Sequence, residues 1–231
     1  MIKRGVVETT YGKFYIDPIS NFGNAILTDK SYEKDVIESL EGILKKEDTF
    51  IDLGANEGFF SILASRLVGT EGKIISIEPQ SRLQAVLFRN ILENTAYNIN
   101  VFQRAVSDSE GIATISLAPD TNTGSSGMFR VTKYKNPTED VLQITLSRFI
   151  GLLNIDRIKL IKIDIESFEY EAILGSKDIF EQNIIENIAL ELHPHILEAR
   201  GKSGSEILEF LHAAGYRENT NYRNLVLSKN F

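Results

Sequence analysis

Hydrophobic residues in this chain change their spacing near residue 49, and the change sets the expected architecture. From there on come short, almost continuous apolar runs: Phe50-Ile51-Asp52-Leu53, Ile74-Ile75-Ser76-Ile77, Asn100-Val101-Phe102, residues 158–165, Ile188-Ala189-Leu190 and Leu225-Val226-Leu227. Between the first three lie residues 59–67 and 83–92, whose apolar positions recur at helical intervals. Such alternation predicts right-handed crossovers onto a doubly wound, mostly parallel α/β sheet. Residues 205–213 read as another helix, ended by Gly215. The last two strands, around 216–219 and 224–227, are joined by a short polar segment and predict a hairpin at one side of the sheet.

Before residue 49 the pattern is different. Val6-Val7-Glu8-Thr9, a turn at Tyr11-Gly12 and Phe14-Tyr15-Ile16 predict a hairpin. Tyr32, Val36, Leu40, Ile43 and Leu44 then have the spacing of an amphipathic helix over 31–46, with Ser31 placed to cap it. Residues 1–48 are therefore expected to be an extension packed on a core domain of residues 49–231. A polar, glycine-containing stretch over 118–140 interrupts that core and is too long for a simple connector. Loops of that kind in compact domains are often lids or binding loops.

Composition narrows the chemistry. The formal charge of -7 and the lack of a Lys/Arg block give no general attraction to nucleic acid or an anionic membrane. The absence of cysteine excludes disulfides, thiolate metal sites and cysteine nucleophiles, and fits a reducing compartment. The basic start Met1-Ile2-Lys3-Arg4-Gly5 has no apolar run of signal length behind it, and no segment has the length of a membrane span. The expected location is cytoplasmic.

The strongest local signal is Asp52-Leu53-Gly54-Ala55-Asn56-Glu57-Gly58, where a strand runs through two glycines into a helix. Gly54 lets the backbone approach a ligand, and Gly58 permits a tight strand-to-helix junction. Asp52 could orient the loop or meet an ammonium group through water. The next strand ends in Glu78-Pro79, where a carboxylate can accept both hydroxyls of a ribose. After the third strand, Ser107 or Asp108 could accept from an exocyclic amine. A dinucleotide fingerprint would need glycine where Asn56 stands, and Glu57 would repel a pyrophosphate. A phosphate-free nucleoside with a sulfonium centre and an amino-acid tail suits this loop better.

A second cluster lies later. Ile161-Lys162-Ile163-Asp164-Ile165-Glu166 is a buried strand ending in carboxylates, and on extended backbone Asp164 and Glu166 face the same way. Glu169 is placed to open the following helix. The next strand ends Glu191-Leu192-His193-Pro194-His195, which puts His193 near Asp164 as a general base or acceptor-orienting group. Asp164, Glu166 and His193 are donors that suit several divalent ions, but their spacing is no established metal signature and no metal is assigned. His212 sits on the last helix and reads as structural.

Together these segments resemble the FkbM-like family of S-adenosylmethionine-dependent methyltransferases over residues 49–227. The resemblance rests on 51–58 with Glu78-Pro79, on 161–166 with Glu169, and on Glu191-Leu192-His193. It implies a class I methyltransferase (Rossmann-like) sheet of seven strands and S-adenosyl-L-methionine as cofactor. It implies that Gly54, Asn56 and Gly58 hold the methionine end, Glu78 the ribose, and Ser107 or Asp108 the adenine. Asp164, Glu166 and His193 would then lie beside the methyl acceptor. The family has glycine where this chain has Ser167, so the turn there is expected to differ. The resemblance leads to O-methylation of a hydroxyl on a sugar, glycan or small metabolite, with no nucleic-acid or membrane partner and no indication of oligomeric state. His193 is the first base candidate and Asp164 the second. A nicotinamide-dependent oxidoreductase and a noncatalytic nucleoside-binding protein are the alternatives on the same fold.

Overall fold

The computed structural model describes residues 4–127, 136–166 and 168–229. Met1–Lys3, residues 128–135 of the polar stretch and Ser167 lie outside them. The chain opens with the expected hairpin, β1 (Gly5–Thr9) and β2 (Gly12–Ile16), paired from Gly5–Ile16 to Thr9–Gly12. Two helices follow, α1 (Asn21–Thr28) and α2 (Lys34–Ile43). α1 is not legible as apolar periodicity, but Ser20 caps it by accepting from Gly23 N. Ser31 does not cap α2. The N-cap is Glu33, in the left-handed region at φ 43°, with no side-chain cap bond.

The alternating part gives β3 (Thr49–Leu53), α3 (Phe59–Val68), β4 (Lys73–Ile77), α4 (Ser81–Glu93) and β5 (Ile99–Phe102). An insertion of β6 (Ala105–Ser107), β7 (Gly111–Ser116) and β8 (Thr138–Thr145) forms a separate three-stranded sheet. The core then resumes with α5 (Leu146–Leu153), β9 (Ile158–Ile163), α6 (Glu169–Leu174), α7 (Lys177–Glu181), β10 (Ile185–Leu190), α8 (Pro194–Ala199), α9 (Gly204–Ala213), β11 (Arg217–Glu218) and β12 (Val226–Ser228). The main sheet has seven strands in the order β11-β12-β10-β9-β3-β4-β5. The five strands β10, β9, β3, β4 and β5 are parallel, and β12 pairs antiparallel with both β10 and β11, as the closing hairpin predicts. No helix among the described residues is long and apolar enough to cross a membrane.

Alternation along the strands divides the core between the two faces of the sheet. Phe50, Ile74 and Leu160 pack with α3, α4 and the N-terminal elements, while Ile51, Ile75, Ile161 and Ile163 pack with the helices of the other face. The extension is built into the first of these layers. Tyr11, Phe14, Phe22 and Tyr32 surround the Phe59 ring at 5.1–6.0 Å between centroids. Asn90 of α4, fully buried, accepts from Tyr15 N at 2.6 Å and donates to the Glu57 carbonyl at 2.8 Å. One side chain thereby ties the hairpin to the glycine loop.

Register places the site. Leu53 pairs with Ile77 on one side and Ile163 on the other, and Ile163 pairs with Leu190. The residues that follow these ends, Gly54, Glu78, Asp164 and Glu191, therefore emerge along one edge. Between β4 and β9 the chain order reverses about β3, and ligands of open α/β sheets bind at that crevice.

Candidate active site

A cleft of about 1170 Å³, its open mouth included, lies over this edge. Gly54, Asn56, Glu78, Asp164 and Glu166 from the expected site line it, together with Glu57, Glu191 and Lys162. Tyr32 and Glu33 reach it from the extension.

The glycine loop is held from below. Gly54 N and Ala55 N both donate to the Ile77 carbonyl at 3.0 Å. Gly54 has φ +85°, and a Cβ there would stand 1.9 Å from the Asp164 carbonyl oxygen. Its glycine is thus required where the loop crosses the end of β9. Gly54→Ala is expected to destabilise the fold by about 3 kcal/mol or more, combining left-handed strain with a backbone clash. Denaturant unfolding would measure this, and an unchanged midpoint would contradict it. Gly58 caps α3 at φ +90° and packs on Leu87 of α4 rather than lining the cleft.

Glu78 is buried at the end of β4. Its Oε2 accepts from Asn56 N and its Oε1 from Gln80 N, each at 2.9 Å. Each oxygen keeps a second lone-pair direction for a ligand hydroxyl. Burial pushes this carboxyl up to about 7, against the two backbone donors that favour its ionised form. Part of the polar stretch forms a 3₁₀ turn here, over Asp120–Ser125. The Thr123 carbonyl accepts from Gln80 Nε2 at 3.2 Å, Thr123 Oγ1 donates to Asn56 Oδ1 at 3.3 Å, and Ser126 Oγ accepts from Arg82 at 3.0 Å. This turn closes over the glycine loop and the Glu78 loop together.

Besides Gly58, three more expected cofactor contacts stand outside the cleft lining. Asp52 is fully buried below the loop, where Ser61 Oγ donates to it at 2.6 Å and Ser76 donates to Ser61. It faces the interior because strand alternation puts it on the Phe50 face. Ser107 and Asp108 do not line the cleft; the wall after β5 is formed by Arg104, Ala105 and Val106. The chain turns into the separate sheet at Ala105, which carries Ser107 and Asp108 past the crevice.

The later carboxylates converge by a different route from the one expected. β9 ends at Ile163 and Glu166 adopts φ +52°, so extended alternation does not align it with Asp164. The turn brings both to the cleft instead. β10 likewise ends at Leu190, and His193 is the N-cap of α8 with Pro194 in its first turn. His193 Nε2 lies 3.7 Å from Glu166 and 3.9 Å from Glu191, and its Nδ1 lies 3.3 Å from Glu169. Burial works against the imidazolium, but Glu169, Glu166 and Asp164 outweigh it and raise its pKa to about 9. Glu169 does more than open α6, since its Oε1 also accepts from Ile165 N at 3.1 Å. Burial raises Glu166 to about 7, with His193 pulling it down and Asp164 pushing it up.

Lys162 carries a role the sequence pattern left unassigned. Its side chain is 4% exposed, its Nζ is 3.0 Å from Asp164 Oδ2, and its neighbour in register on β3 is Asp52. Burial opposes its charge, but Asp164, Asp52 and Glu33 raise its pKa above the ordinary lysine value. The readable signal was a lysine between two isoleucines in a buried strand. Glu33 and Tyr32 had no such signal, because their place depends on how the extension folds back. Asp164, Glu191 and His193 each offer a ligand atom within 4.8 Å of the others, a set that replaces Glu166 with Glu191. Lys162 already sets one cation against Asp164 in that group.

The arrangement suits an adenosine with a charged amino-acid tail: a buried carboxylate with a lone-pair direction to spare on each oxygen, an acidic loop and, among the described residues, no basic cradle for phosphates. Comparison with known proteins agrees. The sequence profile described as the methyltransferase FkbM domain matches residues 52–218. The chain is 26% identical over 207 residues to the AMB antimetabolite synthetase AmbE of Pseudomonas aeruginosa, across 73% of its own length. It spans only 9% of the length of that relative. In fold it is similar to a candidate rRNA methylase from Clostridium thermocellum, with TM-score 0.55, 10% identity, and 86% and 95% of the two chains covered. It is also similar to a candidate methyltransferase from Streptococcus mutans in complex with SAH, with TM-score 0.51, 11% identity, and 85% and 97% covered. With the profile covering most of the chain and the cleft at the matching strand ends, this chain belongs to the FkbM family of S-adenosylmethionine-dependent methyltransferases.

Proposed function

We propose that the protein methylates a hydroxyl of a small molecule or glycan by direct in-line transfer. The observation that carries this reading is the charge of the acceptor end, where Glu33, Asp164, Glu166 and Glu191 line the cleft with Lys162. Carboxylates accept hydrogen bonds from hydroxyls and repel a phosphate backbone. Gly54 and Asn56 hold the methionine end of the cofactor, and Glu78 accepts from its ribose. The wall of Arg104, Ala105 and Val106 faces the adenine.

S-adenosylmethionine supplies an electrophilic methyl on a sulfonium, and its transfer leaves a neutral thioether. The chain's task is to align the acceptor oxygen and remove its proton. In place of His193 and Asp164, the bases expected from the sequence, Glu166 fits best at neutral pH, because its carboxyl titrates about 7 whereas His193, at about 9, is held as imidazolium. His193 acts beside it as the cation that keeps the carboxylates ionised. Lys162 fixes Asp164 toward the same space.

The test is transfer of an isotopically labelled methyl group to a panel of sugars, hydroxylated metabolites and RNA, with products identified by mass spectrometry. A hydroxyl compound gaining one labelled methyl is expected. Labelled RNA with no labelled hydroxyl compound would overturn the reading.

A further inference from the structure

Glu57 belongs to the cleft but to neither the glycine positions nor the ribose acceptor. It immediately precedes the cap of α3, is 2% exposed, and lines the cleft. Asn90 fixes its backbone by donating to its carbonyl. Its Oε2 accepts from Arg4 Nη1 at 3.3 Å, while its Oε1 is buried and accepts no hydrogen bond among the described residues. The helix N-terminus and Arg4 explain why a negative charge is tolerated here. They do not explain a bare buried oxygen, which loses its hydration without replacement. Burial raises the Glu57 pKa and Arg4 opposes that rise, as expected of a carboxylate short of one partner.

The cofactor has one cationic N–H donor, the α-ammonium of its amino-acid tail; its sulfonium carries no N–H. With the ribose at Glu78, that tail lies along the glycine loop. We propose that Glu57 Oε1 accepts a hydrogen bond from the cofactor's α-ammonium, with Arg4 behind it keeping the carboxylate in place. The proposal rests on Glu78 as the ribose acceptor. It makes the N-terminal segment a determinant of cofactor affinity through Arg4.

The test is a ligand cycle read by calorimetry. S-adenosylhomocysteine and its analogue lacking only the α-amino group are titrated into wild type and Glu57→Gln. Wild type is expected to prefer the amino form by about 10- to 100-fold, and the variant to lose most of that preference. Equal affinity of wild type for the two ligands would overturn the proposal without any variant. So would a Glu57→Gln variant that weakens both ligands equally, which would make Glu57 a support of the loop alone. Loss of binding in Glu78→Ala tests the ribose reading separately, so the two failures are distinguishable.

Discussion

Replacing Glu78 with alanine is expected to weaken S-adenosylhomocysteine binding by about 100-fold or more, as measured by calorimetry. The substitution removes the proposed ribose acceptor and also strands two donors, Asn56 N and Gln80 N, that now bond its two oxygens. Both loops over which the 3₁₀ turn closes would lose their shared anchor. Stability should change less than affinity, because the same substitution removes a buried carboxylate that desolvation disfavours. Glu78→Gln separates the parts, since it keeps the shape but points an amide N–H₂ at one of the backbone donors. An affinity within about threefold of wild type in both variants would show that the ribose is held elsewhere.

The raised carboxyl pKa also fixes a sign with pH. Glu78 and Glu166 each titrate about 7 in the cofactor-free fold, above their ordinary value of 4.5, and His193 titrates about 9, above 6.5. A raised folded-state pKa contributes stability below the unfolded value and loses it as pH rises through the folded one. Stability of the cofactor-free protein therefore falls as pH rises, from 4.5 to about 7 through Glu78 and Glu166 and from 6.5 to about 9 through His193. A ligand whose hydroxyls favour the ionised Glu78 works the other way, so its affinity should rise with pH through about 7. That rise should vanish in Glu78→Gln.

Much of the architecture was legible because it depends on residues close in sequence. Buried strands announce themselves as apolar runs, and Gly54 and Glu78 follow two of those runs directly. The acidic edge was legible for the same reason, since parallel register aligns whatever follows Leu53, Ile77, Ile163 and Leu190. What failed was the assumption that extended geometry continues past a strand end. Glu166 turns left-handed and His193 caps a helix, so their meeting is made by two turns whose φ values the side-chain pattern does not encode. Asp52 stands below the loop rather than in the cleft for the opposite reason. It lies inside the strand, where alternation, not the adjacent glycine, decides its direction. Glu33 and Arg4 depend on contacts across tens of residues of chain, and no local periodicity carries that information.

Proton removal offers the sharpest test of the acceptor site, because the two base candidates predict different pH profiles. With Glu166 as the base, turnover at saturating cofactor rises with pH and levels off above about 7. With His193 as the base, it goes on rising to about 9. Glu166→Gln is expected to lower turnover by about 10²- to 10⁴-fold while leaving S-adenosylhomocysteine affinity within about twofold. His193→Asn gives the decisive sign. The imidazolium lowers the Glu166 pKa from 3.7 Å away, so removing it should move the acid limb of the profile to higher pH, not abolish it. A His193→Asn variant with the limb gone and Glu166→Gln still active would assign proton removal to the histidine. The carboxylates would then be what raises its pKa, and the enzyme would work best in alkaline solution.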